Sequence, residues 1–158
     1  MGAKEEAWKK RLGANLPSPP EQLVFFVDRC LGRKIVPSAL MQAGEEVRMH
    51  DDFFPQNATD PDWLKVAGQK GWVVVTKDKH IRHRGLETQA LLAAGVRAFV
   101  LTGRGDKSGE EIGQIFAKAL PKIKRGCAKW DAPFIAVVTR DSDVVLVKGG
   151  QRRRHSKG

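Results

Sequence analysis

The 158-residue chain is long enough for one domain with its own core and too short for two; its 41% hydrophobic and 29% charged residues are ordinary for a globular protein. No apolar run approaches the ~20 residues of a membrane span, and the N-terminal MGAKEEAWKK is charged rather than leader-like, so a cytoplasmic protein with no membrane partner is expected. The net charge of +10 is uneven: residues 148–158 hold five basic residues and no acid, 1–20 hold four basic and two acidic, and 21–147 keeps 19 basic against 16 acidic. So balanced a body is weak evidence of a nucleic-acid binder. The basic end is either a general attractor of polyanions or a disordered solubilising tail.

The expected organisation is an N-terminal arm and linker (1–20), a folded domain (21–147) and the basic tail (148–158). A helical arm, AKEEAWKKRL, precedes PSPPEQ, whose prolines exclude helix. LVFFVD (23–28) reads as a buried strand ending in Asp28. VPSALMQAGEE has the marks of a helix, with Pro37 in its first turn, Gly44 near its end, and Ala39, Leu40 and Ala43 on one side. EVRMH (46–50) alternates as a second strand and runs into Asp51 and Asp52, followed by a loop, FFPQNAT. Asp60 suits the N-cap and Pro61 the first position of a helix reaching about Lys70. WVVVTKD is a third strand, LETQALLAAG a helix and VRAFVLT (96–102) a fourth strand. GEEIGQIFAKALPKIKRG is amphipathic, with Ile112, Ile115, Phe116, Ala119, Leu120 and Ile123 at helical spacing, and Pro121 is expected to kink or shorten it. PFIAVVT and VVLV flank RDSD as a hairpin. Cys30 and Cys127 lack CxxC spacing and read as reduced, partly buried thiols.

Strands alternating with helices through short loops predict an α/β fold with a mostly parallel central sheet flanked by helices. The runs FFV, VVV and FVL are what strands covered on both faces require. In such sheets ligands collect outside the carboxyl ends of the strands. The acids fall there: Asp28, Asp51 with Asp52, and Asp78 end the first three strands. Carboxylates gathered at one edge repel unless a cation or protons offset them. Oxygen clusters suit Mg²⁺ or Mn²⁺, which activate water and offset charge building on a phosphoryl group. Around Asp78 the sequence turns basic, and Lys77, Lys79, His80, Arg82, His83 and Arg84 are placed to meet phosphates.

Each residue also has a plainer explanation. Asp28 suits a polar strand end, Asp60 an N-cap, Asp62 a first-turn acid opposing the helix dipole, and Asp51 and Asp52 a solvated loop. The basic run suits a solvated helix face. His80 and His83 form HxxH, but no third zinc ligand is evident.

Taken in order, FFVDRCLG and TDPDWLKVAGQKGWVVVTKD resemble the PIN-domain nucleases, especially the PIN-like branch that includes the VapC-type toxins. The likeness spans roughly 23–102. In that family an aspartate ends the first strand, matched by Asp28. Another opens a helix and is followed by a glycine and then a Thr-x-Asp motif at a strand end, matched by Asp60, Gly71 and Thr76-Lys77-Asp78. The match favours Asp60 over Asp62 as a ligand. The resemblance implies a three-layer PIN-like fold and a Mg²⁺- or Mn²⁺-dependent endoribonuclease that hydrolyses RNA with metal-activated water, often the toxin of a toxin–antitoxin pair. RNA and a cognate antitoxin protein would be its partners, and a homodimer is compatible. On this resemblance Asp28, Asp60 and Asp78 bind the metal, Thr76 supports them, and Lys77, Lys79, His80, Arg82 and Arg84 contact substrate. Typical members carry a further acid, often Glu, between the first and third ligands. Here Glu45, Glu46, Asp51 and Asp52 are available, and Asp51 or Asp52 is preferred because the strand end faces the site.

Two rivals follow from the same features. One is a PIN-like protein that binds nucleic acid without cutting it. The other is a phosphoryl-accepting receiver domain, which needs paired acids after the first strand and a lysine after the last. This chain has DRC and TRD at those places.

Overall fold

Short runs of β-branched and aromatic residues form the strands, and amphipathic stretches between them form the helices. The computed structural model describes residues 23–28, 31–55, 60–77, 85–102 and 107–151, with backbone alone at 51, 60, 61 and 85–88. In chain order these hold β1 (Val24–Val27), α1 (Ile35–Gln42), β2 (Glu46–Met49), α2 (His50–Phe53), α3 (Asp60–Lys70) and β3 (Val73–Thr76). Then come α4 (Gly85–Ala93), β4 (Arg97–Leu101), α5 (Gly109–Lys129), β5 (Phe134–Val138) and β6 (Val144–Gly149).

The strands make one sheet in the order β2-β1-β3-β4-β5-β6. The first five are parallel and β6 runs antiparallel to β5, as the mostly parallel reading and the hairpin at RDSD require. The chain moves outward from β1 to β2, then returns to the far side of β1 as β3. That reversal leaves a crevice at the carboxyl ends of β1 and β3, where sheets of this kind take their ligands.

Side-chain alternation divides the core in two. Phe25, Val27, Val73, Val75 and Phe99 point to one face and pack with Val36 and Leu40 of α1 and Phe116 and Ile123 of α5. Phe26, Val74, Ala98 and Val100 point to the other and pack with Trp63, Leu64 and Ala67 of α3 and Leu91 of α4. Helices therefore cover both faces, giving three layers. Among the described residues no helix is long and apolar enough to cross a membrane.

One element differs from the sequence reading, and one of the alternatives left open at Pro121 is excluded. The second strand stops at Met49, and His50 opens the four-residue α2, so Asp51, Asp52 and Phe53 are helical rather than loop. Turning there brings the His50 ring beside Phe26, Phe54 and Trp63, at centroid distances of 6.2, 5.5 and 6.0 Å, which buries it among aromatics. Pro121 does not shorten α5, which continues to Lys129. An internal proline costs about 3 kcal/mol. Burial of Ile123 and Cys127 beyond it keeps the helix going, since each large aliphatic side chain buried is worth roughly 1.5–3 kcal/mol. Pro121 itself is exposed, so its ring displaces no core residue.

Candidate functional site

Asp28 extends the β1 ladder by one residue, because its N–H donates to the Val75 carbonyl at 3.1 Å. Alternation then carries it to the same face as Phe26, while Thr76 shares the face of Val74. The two side chains meet: Thr76 Oγ1 donates to Asp28 Oδ2 at 2.9 Å. Thr76 is fully buried and Asp28 is only 8% exposed. A hydrogen bond to a charged partner in such a place contributes roughly 1.5–3 kcal/mol. It also fixes one carboxylate oxygen and so the orientation of the other.

Helix α3 covers this face. Its Trp63 is buried and stacks on Phe26, with ring centroids 5.3 Å apart and 25° between planes. Trp72 stacks on Phe26 at 5.3 Å and 8°. Such aromatic pairs add about 0.5–1.5 kcal/mol each beyond area burial. Because Trp63 lies in the first turn of α3, this stack holds the start of the helix, at Asp60, over the face that carries Asp28 and Thr76.

The other end of α3 explains the motif glycine. Gly71 has φ +69°, its N–H donates to Gly68 C=O at 3.2 Å, and Trp72 N–H donates to Ala67 C=O at 2.9 Å. This is a Schellman ending, and a left-handed residue is required at its centre. The Arg97 guanidinium donates to the Gly71 carbonyl at 2.7 Å and pins the turn from β4. The turn sets where β3 begins, and therefore where Thr76 ends it.

The sequence-derived residues are distributed as follows. Asp28 and Thr76 are in contact, and Asp60 is the first residue of α3. Lys77 is exposed just past β3. Asp51 and Asp52 sit on α2, beyond the carboxyl end of β2 and hence at the edge that bears Asp28; Asp52 is exposed. Asp62 is exposed on α3. Glu45 and Glu46 lie at the start of β2, the opposite edge, and Glu45 pairs with Lys124 at 2.5 Å. Asp78, Lys79, His80, Arg82, His83 and Arg84 lie outside the described residues, as does Cys30, while Cys127 is buried.

Among the described residues no three His, Cys, Asp or Glu side chains are gathered in a metal-binding group. The chemistry of the donors nonetheless suits a hard divalent cation: a nearly buried carboxylate, oriented by a hydroxyl, at the strand edge where α3 begins. What sequence reasoning missed is the support beneath this edge. The His50 ring and the Arg97 clamp have no local signature, and only the density of aromatics in FFV, FFP, DW and GW hinted at a stacked floor.

A family model described as "PIN like domain" matches residues 23–103. A curated protein of Mycobacterium tuberculosis (strain ATCC 25618 / H37Rv), named "Putative ribonuclease VapC45", is 31% identical over 118 residues, covering 72% of this chain and 84% of that protein. No solved structure matches the chain at a significant level.

Proposed function

Because this chain belongs to the PIN-like domain family, in its VapC-type branch, we propose that it is a divalent-metal-dependent endoribonuclease and the toxin of a toxin–antitoxin pair. The observation that carries the reading is the buried contact between Asp28 and Thr76 at the carboxyl edge of β1 and β3. A buried carboxylate held by a hydroxyl is an investment that a plain strand end does not need.

Asp28, Asp60 and Asp78 would hold Mg²⁺ or Mn²⁺, with Asp51 or Asp52 as a further acid. When bound, the ion supplies Lewis acidity toward a phosphoryl oxygen and acidifies water. Thr76 holds Asp28 in one orientation, so the carboxylate loses little freedom when it engages a cation. The stacked floor of Phe26 and Trp63 keeps water from entering beneath it. Lys77, with Lys79, His80, Arg82 and Arg84 following in sequence, would contact the RNA backbone. Phosphate contacts of this kind position a strand without reading its bases. An antitoxin protein would be the second partner.

The test is cleavage of RNA by the purified full chain with Mg²⁺, with Mn²⁺ and with a chelator. Cleavage should require either ion, and Asp28→Asn, Asp60→Asn and Asp78→Asn should each reduce it to background without loss of fold. Activity near wild type in any two of these variants would overturn the metal-site assignment. RNA binding without cleavage under either ion would favour the reading of a PIN-like protein that no longer cuts.

A further inference from the structure

The second half of α5 carries a charge pattern that the proposed chemistry does not use. Between Ile112 and Lys129 the sequence holds five cations and no acid. Lys124 is turned toward Glu45. The other four, Lys118, Lys122, Arg125 and Lys129, follow at spacings of four, three and four residues and so share one stripe. All four are exposed, and the stripe lies opposite the buried face of Ile112, Phe116, Ala119 and Ile123. From Lys118 to Lys129 it runs about 16 Å along the helix at ~1.5 Å per residue.

A solvated helix face ordinarily mixes both signs and gains from paired neighbours. Here the neighbours are like-charged and repel one another. The helix dipole accounts for Lys129, in the last turn, but not for Lys118 in the middle. Nearby acids offset only part of the stripe: Asp143 pairs with Lys122, and the first-turn Glu110 and Glu111 lie at the far end of the helix, Glu111 serving in the capping box of Ser108.

A second observation extends the pattern. Asp131, just past α5, donates its N–H to the Gln151 carbonyl at 2.8 Å. Gln151 therefore lies beside the carboxyl end of α5, and Arg152, Arg153 and Arg154 come next in the sequence.

We infer that the stripe Lys118, Lys122, Arg125 and Lys129 is an RNA-backbone anchor, on the face of the sheet opposite the one bearing Asp28 and Thr76. The inference rests on RNA being the substrate, and it assigns a contact surface remote from the cut. A protein partner would need an apolar centre to its interface. The stripe offers charge without one, which suits phosphates contacted for position alone.

The experiment measures affinity of the full chain for a labelled poly(U) strand over a range of salt, with chelator present to prevent cleavage. Lys118→Gln, Arg125→Gln and Lys129→Gln are combined, leaving the Lys122–Asp143 pair intact. Each phosphate contact on a single strand contributes ~0.7 to the log–log salt slope, so the slope should fall by about two. A control losing equal charge elsewhere, Lys65→Gln with Lys70→Gln and Lys148→Gln, should lose less than half as much. The exchange Lys118→Arg, Arg125→Lys and Lys129→Arg should keep the slope, because the contact needs charge and not shape. Equal slopes in wild type, stripe variant and control, or equal losses in both variants, would overturn the anchor. So would displacement of poly(U) by polyglutamate of equal charge without loss of affinity, which would assign the stripe to an acidic protein. Wild type that cleaves RNA while the stripe variant keeps its slope leaves the nuclease reading standing and removes this one. Wild type that binds through the stripe yet never cleaves does the reverse.

Discussion

Asp28 is nearly out of water, and an ionised carboxylate there is tolerated only where donors or cations face it. Thr76 supplies one donor. Thr76→Val keeps the shape and removes that bond, so it should lower unfolding free energy by about 1–3 kcal/mol. In the proposed reading it also frees the carboxylate to turn away from the ion. Cleavage should then fall about 10–100-fold and the metal concentration for half-maximal activity should rise, the usual consequence of losing a ligand's outer partner. Thr76→Ser restores the hydroxyl and should recover most of both. A variant that melts earlier but needs no more metal would reduce Thr76 to a structural role. The pairing itself could be suspected from sequence, because Thr76 and Asp28 each end a strand of the same apolar type and parallel neighbours end together. The His50 ring could not. Its place depends on Phe26, Phe54 and Trp63 converging from three separate elements, and no spacing along the chain encodes that meeting.

Helix α3 is positioned at both ends, by the Trp63 stack at the start and the Gly71 turn at the finish. Between them Gly68 faces the chain just after α4: a Cβ built there would lie 1.7 Å from the Ala94 carbonyl oxygen. Helix propensity alone predicts that Gly68→Ala stabilises by about 1 kcal/mol. The clash must win, since backbone cannot give way by more than an ångström without moving α3, and overpacking costs about 1–3 kcal/mol or more. Gly71→Ala meets nothing within 4 Å and should cost only the left-handed penalty, about 1–2 kcal/mol. Thermal melts should therefore rank Gly68→Ala below Gly71→Ala, with both below wild type, and the reverse order would show that α3 is free to shift. Element by element, the apolar runs announced β1, β3, β4 and β5 because strands buried on both faces leave little room for polar residues. The capping box of Ser108 and Glu111 marks the start of α5 just as locally. At α2, and in the helix that continues past Pro121, tertiary burial outweighed local preference.

At the scale of the whole molecule the positive surplus is uneven along the sequence. Among the described residues the edge at β1 and β3 bears the nearly buried Asp28 and the carboxyl half of α5 presents cations, and the last seven residues of the sequence add Arg152, Arg153, Arg154 and Lys157. Residues up to 151 belong to the fold: β6 runs to Gly149, Gly150 N–H donates to the Pro133 carbonyl at 3.1 Å, and Gln151 accepts from Asp131. A truncation that tests the tail must therefore begin after Gln151, because an earlier cut removes hydrogen bonds that hold the edge strand. Deleting 152–158 removes four cations and leaves that strand paired. Melting temperature should stay within a degree or so, since surface changes away from such bonds are usually within about 0.5 kcal/mol. Affinity for poly(U) should drop and its log–log salt slope should fall by roughly three, at ~0.7 per lost phosphate contact. Turnover of saturating RNA should be unchanged, because contacts remote from the cut bind ground and transition states alike and act on KM rather than kcat. An unchanged salt slope would show that the tail touches no phosphate, and a lowered kcat at saturation would place it at the cut itself.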